Sequence, residues 1–329
     1  MDNVCHTLVG AAFGRAGLAR RTRFGSATLM ISANLPDVDV LVFASSMPSV
    51  AFRRGWTHGV LAQALLPVAL AALMVLIGRL RRDDQAGPPV RLRWLLALSY
   101  IGVISHVCLD LLNNYGIRLL APLDWRWFYG DAVFIIDPSL WMMLGLGIWL
   151  AGTGAKVRGF EGAKVGAGAR VRAYAGAGAA RVALLVAFAY IIAMLATARV
   201  ARERVIEAWR VEHGAEPAAL MVGPVPVTPL QRQIIVDAGD RYETGTLRWF
   251  PARVTFDPRR VPKNDGDPRV SRARDTPNIR AFLVWSRFPF WTFDAVPGGT
   301  RVSVTDMRFA MRGGFTESAV VPDLIAHPD

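Results

Sequence analysis

The sequence has few of the residues that thiol chemistry and disulfide-stapled domains require: 2 cysteines and 5 histidines in 329 residues. Two cysteines cannot define a disulfide framework. Cys5 and Cys108 each sit in an apolar stretch beside a histidine and read as small buried residues. Charge is also scarce, at 19% Asp, Glu, Lys and Arg against 53% hydrophobic residues, which is too apolar for an ordinary soluble protein of this size. No G-x-S-x-G pattern occurs, so an activated serine is not evident. No segment repeats at a fixed period. The start of the chain lacks a basic region followed by a small-residue cleavage site, so the first apolar segments are expected to stay in the mature protein.

What is present is a set of long apolar runs, at 59–78, 94–112, 133–151 and 182–198, with two shorter ones at 3–14 and 24–35. The longer runs approach the roughly 20 residues needed to cross a hydrocarbon core. Residues 1–200 hold 20 Lys/Arg and 10 Asp/Glu, and residues 201–329 hold 18 and 16, so the formal charge of +12 lies mostly with the apolar half. That placement argues against a nucleic-acid partner and for topology signals. Fifteen of those 20 basic residues fall in three connections, Arg15–Arg23, 79–93 and 152–181, whereas the alternate connections 44–58 and 113–132 hold only Arg53, Arg54, Arg118 and Arg126. If each apolar run reverses the chain, the basic connections share the cytoplasmic side. The Gly/Ala-rich stretch 152–181 reads as a flexible cytoplasmic linker and 182–200 as the last membrane helix. Beyond Arg199, alternating runs such as QRQIIVD, ARVTF and RVSVTDMRF, with a PGGT turn at 297–300, predict a β-rich domain over 201–329 on the outer side.

Ionisable residues beside membrane helices are expensive and usually functional. His6 opens the first run, Asp37 and Asp39 follow the second in NLPDVD, and His58 opens the third in RRGWTH. His106 and Asp110 close the fourth in SHVCLD, and Asp131 and Asp137 precede the fifth. Under the alternating topology all of them arrive at one membrane face. His106 and Asp110, four apart, share one face of a helix, and Pro36 places the two aspartates on a loop that can turn carboxylates toward a metal. Each has a bland reading alone: His6 as a satisfied polar residue, Asp37 as a helix cap, Arg54 as an interfacial anchor. Their convergence favours a site for a divalent metal, zinc first and manganese or iron next, made by His6, Asp37, Asp39, His58, His106 and Asp110.

The order of an N-terminal His, LPDVD, RGWTH and SHVCLD, followed by an Asp before the next helix, resembles the YdjM/YbcI-like family of inner-membrane proteins over about residues 1–150. The resemblance implies a metal-dependent hydrolase. RFPFWTFD and VSVTDMRF resemble an outer domain carried by some members. The ligand order is also similar to that of zinc-dependent phospholipase C and P1-type nucleases. That likeness implies Asp37 or Asp39, His58, His106 and Asp110 around one ion, with His6 and Asp110 reaching a second. The later histidines of those enzymes have no counterpart here beyond His213 and His327.

The expected molecule is therefore an α-helical polytopic membrane domain over 1–151 with about four to six membrane helices, followed by a smaller β-rich periplasmic or extracellular domain. Its expected activity is metal-assisted hydrolysis of a phosphoester or similar bond in a lipid or lipid-linked substrate. Asp39 and Asp137 are candidate catalytic groups, and Arg54 is a candidate for an anionic head group. Protein partners stay open. A proton-coupled transporter would place acids at the midplane and toward both faces, whereas here they gather at one face. A scaffold in which metal merely fixes the bundle stays open.

Overall fold

A computed structural model of the chain describes residues 1–45, 49–81, 88–156, 167–310 and 314–322. It divides into two compact units, one of Met1–Asp39, Arg54–Thr197 and Pro226–Pro229, the other of Val40–Arg53, Ala198–Val225 and Leu230–Asp329.

The first unit is helical. α1 (Asn3–Arg15) starts where the Asp2 carboxylate accepts from the backbone N–H of Val4 and Cys5, satisfying two of the helix's orphan donors. α2 (Gly25–Ser32) lies so close to α1 that a Cβ on Gly10 would fall 2.7 Å from Leu29 O. A 3-10 helix over Leu35–Ala44 continues α2 after a bend of 53°. α3 (Ser49–Phe52) is a single turn belonging to the second unit. α4 (Val60–Leu80) and α5 (Leu92–Leu111) are both long and apolar enough to span a membrane. α6 (Pro138–Lys156) contributes a shorter apolar stretch, Pro138–Thr153, and α7 (Ala167–His213) contains the third full-length span. Among the described residues this gives three spanning helices, or four if the bent pair counts as one. Met1, Cys5, Val9, Leu109, Val133, Leu140, Leu144, Ala187 and Met194 form one core among α1, α5, α6 and α7. Outward-facing Leu65, Leu76, Met142 and Phe188 are each more than half exposed, as a lipid-facing surface requires.

Where it is described, the stretch expected as a linker at 152–181 is helical. Residues 157–166 lie outside the described residues, but α6 runs to Lys156 and α7 begins at Ala167. Alanine, the best helix former, outweighs the interspersed glycines there. Gly176 serves close packing, since a Cβ on it would lie 2.9 Å from Ala151 O. The membrane helix expected at 182–200 is accordingly the middle of one longer helix that ends at His213.

In the second unit, Ala201, Val205 and Trp209 of α7 pack on an antiparallel sheet through Leu220, Val222, Ile234, Val236 and Leu247. That sheet has the order β1 (Ala219–Pro224), β2 (Gln231–Asp237), β3 (Arg241–Trp249), β4 (Ala252–Pro262). α8 (Pro268–Arg274) and α9 (Pro277–Trp285) follow, each with proline in its first turn. A second antiparallel sheet is ordered β5 (Pro289–Val296), β6 (Gly299–Asp306), β7 (Thr316–Val321). β5 and β6 meet at the PGGT turn, where Val296 pairs with Gly299 and Gly298 takes φ 88°. The molecule is thus a helical membrane domain followed by a smaller β domain.

Candidate metal centre

The centre is assembled where α2 breaks. Ending a helix at Ser32 releases carbonyls from the i to i+4 ladder. One of them, Ala33 O, accepts a hydrogen bond from His106 Nδ1 at 2.7 Å. α5 can approach this closely because residue 102 is glycine: a Cβ there would lie 1.8 Å from Ser32 Oγ and 2.7 Å from Ser32 Cβ. His106 follows Gly102 by one turn, and Asp110 follows His106 by another. The 3-10 helix brings in Asp37, and the turn before α4 brings in His58.

The result is a compact donor set. One ligand atom from each of Asp37, His58, His106 and Asp110 lies within 4.8 Å of the others, and all four residues are buried. His58 Nε2 is 3.1 Å from His106 Nε2, 3.3 Å from Asp110 Oδ2 and 3.7 Å from Asp37 Oδ1. His106 Nε2 is 3.6 Å from Asp110 Oδ2 and 3.9 Å from Asp37 Oδ1. Donors about 2.0–2.1 Å from a tetrahedral zinc stand about 3.3–3.4 Å apart, so these separations suit one ion.

The tautomers lead to the same reading. His106 spends its Nδ1 proton on Ala33 O, so its Nε2 carries a lone pair. Thr57 Oγ1 lies 3.0 Å from Asp39 Oδ2 and 3.0 Å from His58 Nδ1. Its one proton goes to the charged acceptor, Asp39, the stronger bond. His58 Nδ1 must then donate to Thr57, which leaves a lone pair on His58 Nε2 as well. Two lone pairs facing each other at 3.1 Å repel, and a cation between them reverses the sign. Imidazole nitrogens and carboxylates together are a donor set for zinc and neighbouring transition metals. The group Asp37, His58, His106 and Asp110 could therefore hold a metal ion.

A family model described as the YdjM inner membrane protein matches residues 1–203. This chain belongs to the YdjM inner membrane protein family. Over 334 aligned positions it is 22% identical to YfhP of Bacillus subtilis (strain 168), an uncharacterized protein, covering 98% of this chain and 90% of the relative. No solved structure matches it. Membership and the spanning helices together make this a membrane protein.

The other expected site residues of this YdjM-family chain fall into different places. His6, fully buried on α1, stacks on His106 with ring centroids 3.8 Å apart, and its Nε2 is 3.3 Å from Asp110 Oδ1. Neither of its ring nitrogens makes a hydrogen bond, which is rare for a buried imidazole. Asp39 stands behind His58, 3.6 Å from Nδ1, the ring nitrogen turned away from the donor set. It accepts from Thr57 and, at 2.7 Å, from the backbone N–H of Arg54. The sequence leaves open which aspartate is a ligand and which orients one or acts as a base, and it expects both on a loop. In a 3-10 helix, positions two apart point about 240° apart, so Asp37 and Asp39 divide the work. Asp137 is not brought into the group: its Oδ1 caps α6 through Ser139 and Leu140, and its Oδ2 accepts from Tyr190. Arg54 is only 4% exposed, which rules out an interfacial anchor. Its Nε pairs with Asp110 Oδ2 at 3.1 Å, Nη1 donates to Asn113 Oδ1, and its guanidinium lies over Tyr115. The nitrogen of Met1 also meets Asp110 Oδ1.

Sequence reasoning passed over Thr57, Asn113 and Ala33. The motif RGWTH contained Thr57, but only its spacing to Asp39 in space gives it a role. Asn113 follows α5 and holds Arg54 while capping Tyr115 and Gly116 N–H groups. Ala33 acts through its carbonyl, which no side-chain pattern announces. Exposed Trp56 packs edge-on against Trp125 at 5.0 Å, and Arg118 lies over Trp125 and Trp127. Such an aromatic cluster beside the centre suits a membrane interface.

Proposed function

We propose that this protein is a membrane-bound metal-dependent hydrolase acting on a phosphoester or similar bond of an amphipathic substrate, with its centre at the outer face of the membrane. The observation that carries the reading is the pair of imidazole lone pairs, on His58 and His106, converging with Asp37 and Asp110 on one point. Asp37, His58, His106 and Asp110 would hold a divalent ion, zinc before manganese or iron. His6 and Asp110 would be the residues to reach a second ion. When bound, such an ion supplies an acidified water and polarises the bond under attack. Asp39 and Thr57 fix the His58 ring so that Nε2 faces the centre, a role that outer partners of metal-bound imidazoles commonly play. Arg54, beside Asp110, contributes positive charge for an anionic head group. Asp39, 3.6 Å from His58 Nδ1, would be the carboxylate behind that ring to take up a proton. Exposed Trp56 and Trp125 support a centre at the depth where a lipid's head and tails divide.

The alternating charge of the connections supports an outward-facing β domain. Alkaline phosphatase fused after residue 322 should be active and the same reporter fused after Arg93 inactive; the reverse pattern would place the centre at the cytoplasmic face. The activity is tested with the full chain in detergent, stripped by chelator, reloaded with Zn²⁺ or Mn²⁺, and offered lipid, lipid-linked and soluble phosphoesters. Turnover should need the ion and fall in acid as imidazoles take up protons and release it. Stoichiometric metal with no turnover of any of them would favour a scaffold held together by its metal.

A further inference from the structure

α7 carries the chain out of the membrane and fixes how the first sheet of the β domain stands over it. Its apolar run ends at Ala198, and Arg199, Arg202 and Arg204 follow. The guanidinium of Arg204 lies over the Trp249 ring, 5.4 Å from its centroid, and further along the helix His213 Nε2 is 3.7 Å from Glu243 Oε2. As α7 leaves the membrane, its partners on β3 therefore run backwards, from Trp249 to Glu243. β3 descends toward the bilayer and turns there, through Phe250 and Pro251, into β4. Arg199 and Arg204 are about 7.5 Å apart along a helix that rises 1.5 Å per residue. The headgroup zone on each side of the hydrocarbon core is about 5–8 Å deep. A turn lying beyond Trp249 on the membrane side reaches that zone.

This end of the sheet is built unlike the other. The far connections carry Asp240 between β2 and β3, and Lys263 and Asp265 after β4. The near ones, VPVTPL between β1 and β2 and FP between β3 and β4, hold no charged residue. Trp249 N–H donates to Leu230 O at 3.0 Å, which sets Leu230 beside the β3–β4 turn. Phe250 is 80% exposed, Val227 77% and Leu230 51%. Single exposed apolar side chains are ordinary, whereas apolar connections gathered at one end of a sheet mark a surface that meets something. Charge says what that is. Arg248 and Arg253 stand directly opposite each other on β3 and β4, both exposed, and among the described residues neither has a carboxylate partner. Like charges set opposite on paired strands destabilise them, and an anion shared by the two reverses the sign. With exposed Arg204 they form a basic rim one or two residues behind an apolar tip, with Trp249 between. Cations at the level of lipid phosphates and apolar side chains beyond them are what a membrane interface takes.

We infer that the β3–β4 turn, with Leu230 beside it, seats in the headgroup layer of the membrane that α7 spans, Phe250 reaching toward the acyl chains and Arg248 and Arg253 holding phosphates of anionic lipids. The contact is independent of the metal centre and of the hydrolytic reading. The full chain, with Cys5 and Cys108 replaced by alanine, is labelled with an environment-sensitive fluorophore at Ala252→Cys, just past the turn, and separately at Asp240→Cys, at the far end of the sheet. Each protein is reconstituted in liposomes of phosphatidylglycerol and phosphatidylcholine. The label at 252 should be quenched by a nitroxide on the lipid head group and shielded from iodide supplied on both sides; the label at 240 should show the reverse. Phe250→Asp, at a position that contributes nothing to a core, should abolish the nitroxide quenching at 252. Arg248→Gln combined with Arg253→Gln should lower the ratio of seated to free turn by about tenfold or more, and liposomes of phosphatidylcholine alone should do the same to the unsubstituted turn. Circular dichroism of each variant checks that the β domain is folded. Iodide reaching both labels alike overturns the inference. So does a label at 252 shielded from both quenchers, since the turn is then covered by protein. Quenching that Phe250→Asp leaves unchanged would mean that the turn is only held close by α7, and quenching equal in the two lipid compositions would remove the phosphates; either result overturns it as well.

Discussion

Gly102→Ala should disable the metal centre without touching a ligand. The added methyl would lie 1.8 Å from Ser32 Oγ, 2.7 Å from Ser32 Cβ and 2.9 Å from Ala33 N. The hydroxyl can rotate away, but Cβ and the backbone cannot. Carbon atoms pack at about 3.5–4.0 Å, so α2 and α5 must part by about 1 Å. His106 is one turn along α5, and its 2.7 Å bond to Ala33 O would stretch to the limit at which a hydrogen bond is lost. Overpacking of this kind costs about 1–3 kcal/mol. Losing the partner that orients a metal-bound imidazole lowers affinity by about 10–100-fold. The assay is zinc affinity of the full chain in detergent, by competition with a chromophoric chelator, alongside Tm with and without zinc. Gly145→Ala is the control, since a Cβ there meets nothing within 4 Å. Ser32→Gly combined with Gly102→Ala should recover part of the affinity, because it removes the two side-chain atoms in the way. Unchanged zinc affinity in Gly102→Ala, whatever happens to Tm, would show that the Ala33 carbonyl does not set His106.

His106→Ala should abolish stoichiometric metal while membrane insertion persists, because insertion depends on apolar length; a variant with full metal content would put the ion elsewhere. Thr57→Val should weaken zinc binding by about tenfold or more and Thr57→Ser should not, since only the hydroxyl links Asp39 to His58; equal affinities in the two variants would dismiss the link. In the β domain, burial alone would raise the pKa of Asp306, but the charge and hydrogen bonds of Arg308 and the Ser286 hydroxyl hold it below the usual carboxylate value. A carboxylate held low in the folded state contributes stability that is complete above about pH 3.9 and lost as pH falls through the folded value. Near-UV circular dichroism should therefore show this domain stable from neutrality to about pH 4 and failing below it. Asp306→Asn should cost about 3–5 kcal/mol at pH 7 by leaving Arg308 buried and uncompensated; a variant as stable as the parent would mean the pair is idle.

The membrane architecture was legible because lipid imposes a length and a polarity on each span, and both are written in one dimension. The meeting of His58, His106, Asp37 and Asp110 was legible for a related reason. Residues at the ends of alternating spans share a face whatever the packing, and H-x-x-x-D needs only a helical turn. What could not be read depends on contacts between segments. Asp37 and Asp39 are equivalent in the string LPDVD and become different only when a 3-10 turn points them apart. Asp137 stands at the end of an apolar helix as the other acids do, yet its carboxylate is consumed by the helix terminus and Tyr190. Arg54 could have been an anchor or a site residue; its burial depends on Asn113 and Asp110, neither near it in sequence. The glycines of 152–156 and 167–181 read as linker, yet the alanines there and the close approach of Gly176 to Ala151 favour helix.

Charge makes the strongest distinction between a metal centre and a proton relay. Asp37, Asp39, Asp110 and Arg54 are all buried, and with neutral imidazoles these side chains carry a formal charge of −2, which a charged Met1 amine at Asp110 brings only to −1. Unpaired charge taken out of water costs several kcal/mol per ion, and membrane surroundings make it worse. A relay could lower that charge by protonating a carboxylate, and its donors and acceptors would then alternate along a path, each handing a proton onward. Here the order is different. Both protons that could sit between the imidazoles are turned outward, to Ala33 O and to Thr57 Oγ1. The inward atoms of all four residues are acceptors, and Arg54 Nε meets this set from its edge, at Asp110 Oδ2. A divalent cation offsets that negative charge and supplies one positive partner that all four residues share, whereas a single proton would satisfy one pair of atoms and leave the others facing each other.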